Sequence, residues 1–281
     1  MKKLIINFAP TGMIPTKAMT PHVPVDPQEI AADVAACVPL GVSMVHLHAR
    51  DAEGSPTYKK EKYAEIIAAI RRDHPELIVV VSTSGRNVSE FDKRSDVLHL
   101  QGGLKPDMAS LTLGSMNFPR TASVNSPEMI AALAGLMKQK GIKPELEVFD
   151  LGMVNYAKYL IRKGLLEPPY YFNILLGNAA TAQATLMHAA LIVSELPPDS
   201  YYALAGIGDH QKPMNALGVI AADGVRVGLE DNIWLDPGRR HPATNAELVR
   251  QVADLAAAYG RTAASASEVR TMLGLARAGG Q

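Results

Sequence analysis

Short apolar runs alternate with longer helical patterns from one end of this chain to the other, and there are eight of each. The candidate strands are Leu4–Ala9, Ser43–His48, Leu77–Thr83, Met108–Leu113, Glu145–Phe149, Tyr171–Leu176, Tyr202–Ile207 and Gly224–Leu229. Helical stretches follow them, among them Lys60–Arg72, Pro127–Lys140, Met153–Lys163, Ala180–Leu196 and Asn245–Tyr259. Eight units spread over the chain come to about 35 residues each, the size of one βα repeat. Unbroken alternation of this kind demands a parallel sheet, and eight units predict closure into a (β/α)8 TIM barrel rather than an open doubly wound sheet. Residues 1–281 are therefore expected to form one barrel domain. No G-x-G-x-x-G lies between the first strand and its helix, which removes the main support for dinucleotide binding. Residues 86–105 form the longest connection, expected as a partly helical loop over one end of the barrel.

Composition closes off other classes. Lys plus Arg and Asp plus Glu number 28 each, with no long like-charge run, which argues against a nucleic-acid or membrane-surface partner. Apolar residues make up 47% and charged residues 20%, the balance of a chain with a large core rather than a disordered one. Cys37, the one cysteine, rules out an intrachain disulfide and sits in a helical run as a small hydrophobe. The start, Met1-Lys2-Lys3, reaches Asn7 and Pro10 before a long apolar region develops, so no secretion signal is expected. No run attains the roughly 18 apolar residues of a membrane span. A cytoplasmic protein is expected.

Side chains alternate across a strand, so one parity of each barrel strand faces the helices and the other faces the interior or its mouth. Val45 and Leu47 oppose His46 and His48, and Leu111 and Leu113 oppose Ser110 and Thr112. Leu146 and Val148 oppose Glu145 and Glu147, while Val225, Val227 and Leu229 oppose Arg226, Gly228 and Glu230. Asn7 and Asn173 follow the same rule. Charges and imidazoles are costly to bury alone, so their convergence implies pairing with one another, a metal or a ligand. His48, Ser82, Thr112, Glu147 and Glu230 fall near strand C-terminal ends, the active face of this architecture.

His46-Leu47-His48 places two imidazoles on one strand face with Cα atoms roughly 6.5 to 7 Å apart. Alone, an H-x-H pair on a strand is more often structural or hydrogen-bonded than metal-binding. Glu230 ends the eighth strand, however, and strands eight and two both flank strand one, so all three side chains can share a layer. Two nitrogens, one carboxylate and an open position describe a catalytic zinc site, whereas structural zinc would call for several cysteines and this chain has one. Arg226 shares the face of Glu230 across Gly228, whose missing side chain leaves room for a substrate or the guanidinium; a buried Arg–Glu pair is the alternative. Asp231, where the loop begins, is either a general base beside a cation and a metal or a plain loop aspartate. Ser82-Thr83-Ser84-Gly85 offers hydroxyls and backbone N–H groups to a carboxylate, or simply a capped loop. Gly206-Ile207-Gly208 would let a backbone approach a phosphate. His22, His74, His99, His188, His210 and His241 read as surface or structural, and Met108, Met116, Met129 and Met137 as core filling.

Taken together, Val45-His46-Leu47-His48-Ala49-Arg50-Asp51, Ser82-Thr83-Ser84-Gly85, Lys105-Pro106-Asp107-Met108-Ala109-Ser110, Gly114-Ser115-Met116-Asn117-Phe118, Pro144-Glu145-Leu146-Glu147-Val148-Phe149-Asp150 and Val225-Arg226-Val227-Gly228-Leu229-Glu230-Asp231-Asn232 carry a resemblance. The chain resembles the β-keto acid cleavage enzyme family, whose best-known activity is 3-keto-5-aminohexanoate cleavage. The resemblance implies a zinc-dependent acyltransferase that turns a β-keto acid plus acetyl-CoA into acetoacetate plus a new CoA thioester. It implies that His46, His48 and Glu230 hold Zn2+ and that Asp231, oriented by Arg226, removes the proton between keto and carboxylate groups. Ser82 and Gly85, with Thr83 between them, would hold the substrate carboxylate, and Thr112 and Glu147 would join the substrate site. The family tends to assemble as tetramers, so a homotetramer is expected.

Two departures stand out. Family members that cleave the amino-substituted substrate carry an acidic residue in the first βα loop, where this chain reads Thr11-Gly12-Met13-Ile14-Pro15. Ile14 cannot pair with a cation, so an uncharged, apolar acyl tail is expected beside it. Thr83-Ser84-Gly85-Arg86 is also less glycine-rich than the usual family loop. Two rival readings remain: a zinc hydrolase of the amidohydrolase type, which wants H-x-H on strand one and further histidines on strands five and six, and a non-catalytic barrel that binds CoA or a small molecule.

Overall fold

The computed structural model describes residues 2–276. All eight expected strands are present: β1 (Ile5–Phe8), β2 (Met44–Leu47), β3 (Ile78–Val81), β4 (Met108–Thr112), β5 (Lys143–Val148), β6 (Tyr170–Leu176), β7 (Ser200–Gly206) and β8 (Gly224–Val227). They pair in chain order, every neighbour parallel, and β8 closes on β1. The helices between them are α1 (Pro27–Cys37), α2 (Lys60–Asp73), the short α3 (Phe91–Ser95), α4 (Pro127–Lys140), α5 (Leu151–Arg162), α6 (Leu186–Ser194), α7 (Gln211–Ala221) and α8 (Asn245–Ala258), and α9 (Ala266–Leu273) follows. Helix starts follow local chemistry. Asp26 and Ser126 accept backbone N–H bonds ahead of Pro27 and Pro127, and Thr244 with Glu247 forms a capping box.

The alternation sorts two cores. Outward residues such as Phe8, Leu47, Val81, Leu146, Phe172 and Val227 pack beneath the helices. Inward residues at the strand starts, Ile5, Met44, Ile78, Met108 and Tyr171, form a separate cluster with Ala264, Val269 and Leu273. The C-terminal helix α9 therefore plugs the N-terminal end of the barrel, where Arg270 donates to Asp107 Oδ1 at 2.8 Å. Polar side chains are left to the middle and upper interior.

Two local expectations change. Residues 86–105 are partly helical, but α3 packs on α4 and the following 3-10 turn on α2, with Val97 and Leu98 buried. That segment fills the third place in the outer ring instead of lying over an end. Helix α6 begins at Leu186 and not at Ala180, because Thr185 caps it and Gly177 N–H and Ala182 N–H tie the preceding turn to Ala182 O and Phe149 O. Among the described residues, no helix is long and apolar enough to cross a membrane.

Candidate functional site

Inside the barrel a carboxylate sits beneath an imidazole. Glu145, fully buried on β5, accepts from Asn7 Nδ2 at 2.6 Å and Asn173 Nδ2 at 2.8 Å through Oε1. Its Oε2 lies 2.6 Å from His46 Nδ1. All of its bonding capacity is thus directed at interior groups, and His46 is left with Nε2 facing the mouth. Burial works most strongly against charge on His46, but Glu145 and Glu230 together outweigh it and raise the imidazole to about 9. Burial also opposes charge on Glu145, yet His46 holds it below its ordinary range. The two form a buried pair.

Above this pair, His46 Nε2 is 3.3 Å from His48 Nε2, and Glu230 Oε1 lies 3.1 Å from His48 Nε2 and 3.9 Å from His46 Nε2. Burial keeps His48 below its ordinary value despite Glu230 beside it. Against the effect of burial, Arg226 and both histidines hold Glu230 well below the usual carboxylate range. Among the described residues its Oε2 is buried with no hydrogen-bond partner. Two imidazole nitrogens and a carboxylate oxygen within 4.8 Å of one another, one orphaned oxygen and a second carboxylate fixing the rear of one imidazole fit a divalent metal of the zinc class. A second grouping, His46 with Glu145 and Glu147, is as compact. It fits a metal less well, because Glu145 already serves the two asparagines and His46.

Strand β8 stops at Val227, earlier than expected, and its continuation is what aims the acids. Gly228 has φ +149, and a Cβ there would lie 2.1 Å from Ala9 O. The missing side chain makes room for the β1 backbone and not for a ligand. Beyond it, Asp231 N–H turns back to Gly228 O, so Glu230 and Asp231 both face Arg226. Gln211 Nε2 donates to Gly228 O and Asn245 Oδ1 accepts from Leu229 N–H, which fixes the turn. Arg226, 2% exposed, meets Glu230 Oε1 at 2.7 Å, Asp231 Oδ2 at 2.7 Å and Glu147 Oε1 at 3.5 Å. Burial raises Asp231, and Arg226 only partly reverses it, so its carboxyl sits above its ordinary value. Glu147, also raised by burial, accepts from Thr112 Oγ1 at 2.6 Å.

These groups form the floor of a cavity of about 350 Å³ whose walls include Met13, Ile14, Phe118, Phe149, Leu175 and Ile207. Ser82 and Thr112 also reach it. Thr83 does not line it: its hydroxyl donates to Ser110 O at 2.6 Å. Gly85 sits off the cavity against Val124 O and the Arg94 guanidinium. Gly208 N–H donates to Asp231 O at 2.7 Å and is not free for a phosphate. Met116, read as core filling, is buried but also faces the cavity. Arg50 anchors the loop that carries Ile14, donating to Gly12 O at 2.7 Å and Pro15 O at 2.9 Å. Sequence reasoning missed Arg50, Arg86 and the role of Glu145. Glu145 shares the interior parity of Glu147, which was the available signal; Arg50 and Arg86 lie past the strands, where parity gives none.

Comparison with known proteins adds an independent line. The profile of the beta-keto acid cleavage enzyme family matches residues 3–275. The chain is 36% identical over 279 residues to a 3-keto-5-aminohexanoate cleavage enzyme of Acetoanaerobium sticklandii, covering 99% of this chain and 100% of that one. It is 36% identical over 274 residues to a 3-oxoadipate:acetyl-CoA acetyltransferase of Cupriavidus necator, covering 96% and 94%. A solved ternary complex of ObcA with a C4-CoA adduct and oxalate superposes with TM-score 0.77 at 22% identity, over 92% of this chain and 68% of that one, a likeness of fold.

Proposed function

The chain belongs to the β-keto acid cleavage enzyme family, and from that premise we propose that residues 1–281 act as one catalytic domain that condenses a β-keto acid with acetyl-CoA and releases acetoacetate and a new acyl-CoA. The observation that carries this reading is the convergence of His46, His48 and Glu230, with His48 and Glu230 lining the cavity floor beside the Arg226–Asp231 pair and His46 buried directly behind His48. His46, His48 and Glu230 would hold the divalent ion, which supplies a Lewis acid for the substrate's keto oxygen.

Asp231 is the general base. Its carboxylate faces the cavity, burial raises its basicity, and Arg226 grips it at Nε and Nη2 so that one geometry is presented. It takes the proton from the carbon between keto and carboxylate groups. The resulting carbanion attacks the acetyl-CoA carbonyl and expels the CoA thiolate. That thiolate adds to the original keto carbon, the bond to the neighbouring carbon breaks, and the acetoacetate carbanion is reprotonated. Ser82 at the cavity edge is placed to hold the substrate carboxylate, with Thr112 and Glu147 on the adjoining wall. Thr83 and Gly85 would support that edge from behind. Ile14, half exposed at the cavity wall, offers no partner to a cationic tail.

The amidohydrolase reading is less favoured, because β5 and β6 present Glu145, Glu147 and Asn173 where that pattern wants histidines. Assembly as a homotetramer is supported by α6, which is apolar on nearly all sides yet leaves Leu186, Met187 and Leu191 exposed. The test of function is a panel of β-keto acids incubated with acetyl-CoA and assayed for acetoacetate. Formation of acetoacetate with the matching acyl-CoA is expected; failure of every acid, with metal content confirmed, would favour a binding barrel.

A further inference from the structure

Three carboxylates line the cavity, and each is already engaged: Glu147 by Thr112 and Arg226, Glu230 by His48 and Arg226, Asp231 by Arg226. Two other cations line the same cavity, Arg86 and Arg120. Arg86 is only partly exposed. Its guanidinium lies 3.6 Å from the centroid of the Phe118 ring, and among the described residues it has no hydrogen-bond or ion-pair partner. Arg120 stands at the tip of the hairpin formed by Met116–Asn117 and Ala122–Ser123, exposed and likewise without an ion-pair partner among the described residues. A guanidinium stacked on an aromatic ring keeps its fork of donors in plane and available to a carboxylate.

In place of the uncharged tail expected from Ile14 alone, we propose that Arg86, with Arg120 at the rim, binds a second carboxylate at the far end of the acyl chain, so that the preferred substrates are dicarboxylic β-keto acids with an apolar stretch beside Ile14 and an anionic end. This rests on the function proposed above and narrows its substrate class. Apolar walls at Ile14, Phe149 and Ile207 cover the methylenes between the reacting carbons and that terminal carboxylate. Burial lowers the basicity of Arg86, while Glu230, Glu147 and Asp231 oppose that through space, which places the guanidinium in the field of the cavity floor. The phosphates of CoA are the competing anion. The pantetheine arm holds them well away from the thioester, whereas a terminal carboxylate a few carbons from the keto group stays close to the reacting carbons.

The experiment compares kcat/KM for a dicarboxylic β-keto acid and the neutral-tailed acid of equal chain length, in the wild type, Arg86→Gln and Arg86→Lys. The wild type should prefer the dicarboxylic acid by about ten- to a hundredfold, the range of one charge-assisted contact. Arg86→Gln should bring that ratio close to one, chiefly through KM for the acid, and Arg86→Lys should restore part of it. Binding of adipate against hexanoate to each protein, by calorimetry, should follow the same order without turnover. A wild-type ratio near one, a ratio indifferent to Arg86→Gln, or an increase in KM for acetyl-CoA in place of the acid overturns the assignment while leaving the proposed function standing. If neither acid is turned over, the function itself fails.

Discussion

His46 is bound at Nδ1 by a buried carboxylate and turns Nε2 toward His48 and Glu230, and this division of labour is what makes it useful. Glu145 fixes the ring and its tautomer from behind, as carboxylates behind metal-binding histidines do. Glu145→Gln should weaken metal affinity by about ten- to a hundredfold, read by chelator competition. Total loss of the metal would point instead to the grouping that includes Glu145 as a ligand. The roles of Asp231 and His46 separate in the same way. Asp231→Asn should reduce turnover by about a hundredfold or more with metal content near normal, and His46→Ala should lose the metal. Two active variants would leave the base and the metal set without support.

Elements divide function from stability along the barrel axis. The strand ends and the turn after β8 build the cavity, while α9 seals the opposite end with Val269 and Leu273, both fully buried. Leu273→Ala should cost about 2–5 kcal/mol in denaturant unfolding, because the strand starts around it cannot collapse into the gap. KM for both substrates should stay the same, since nothing from α9 lines the cavity. A changed KM would mean that the two ends of the barrel are coupled.

For the molecule as a whole, α6 is the surface least suited to water. Leu186 is 70% and Met187 67% exposed on a helix whose remaining residues are mostly apolar. The pair Leu186→Lys with Met187→Lys should reduce the mass seen by light scattering while the helical and strand signal in circular dichroism is retained. A wild-type protein that is monomeric at the outset would refute the tetramer.

Strand number, strand parity and the family signature were legible in the chain itself. Alternation is a local property: the period of two along a strand puts His46, His48, Glu145 and Glu147 on one side whatever surrounds them. Helix α9 is also written locally, in the capping box of Ser265 and Glu268 and the C-cap Gly274. Tertiary structure decided the rest, because those contacts depend on backbones far apart in sequence. The approach of Ala9 to Gly228 turned Glu230 and Asp231 toward Arg226, the bond from Thr83 to Ser110 took a hydroxyl away from the cavity, and the hairpin carrying Phe118 set Arg86 over it. A loop has no fixed period, so where its side chains point is settled only by what it packs against.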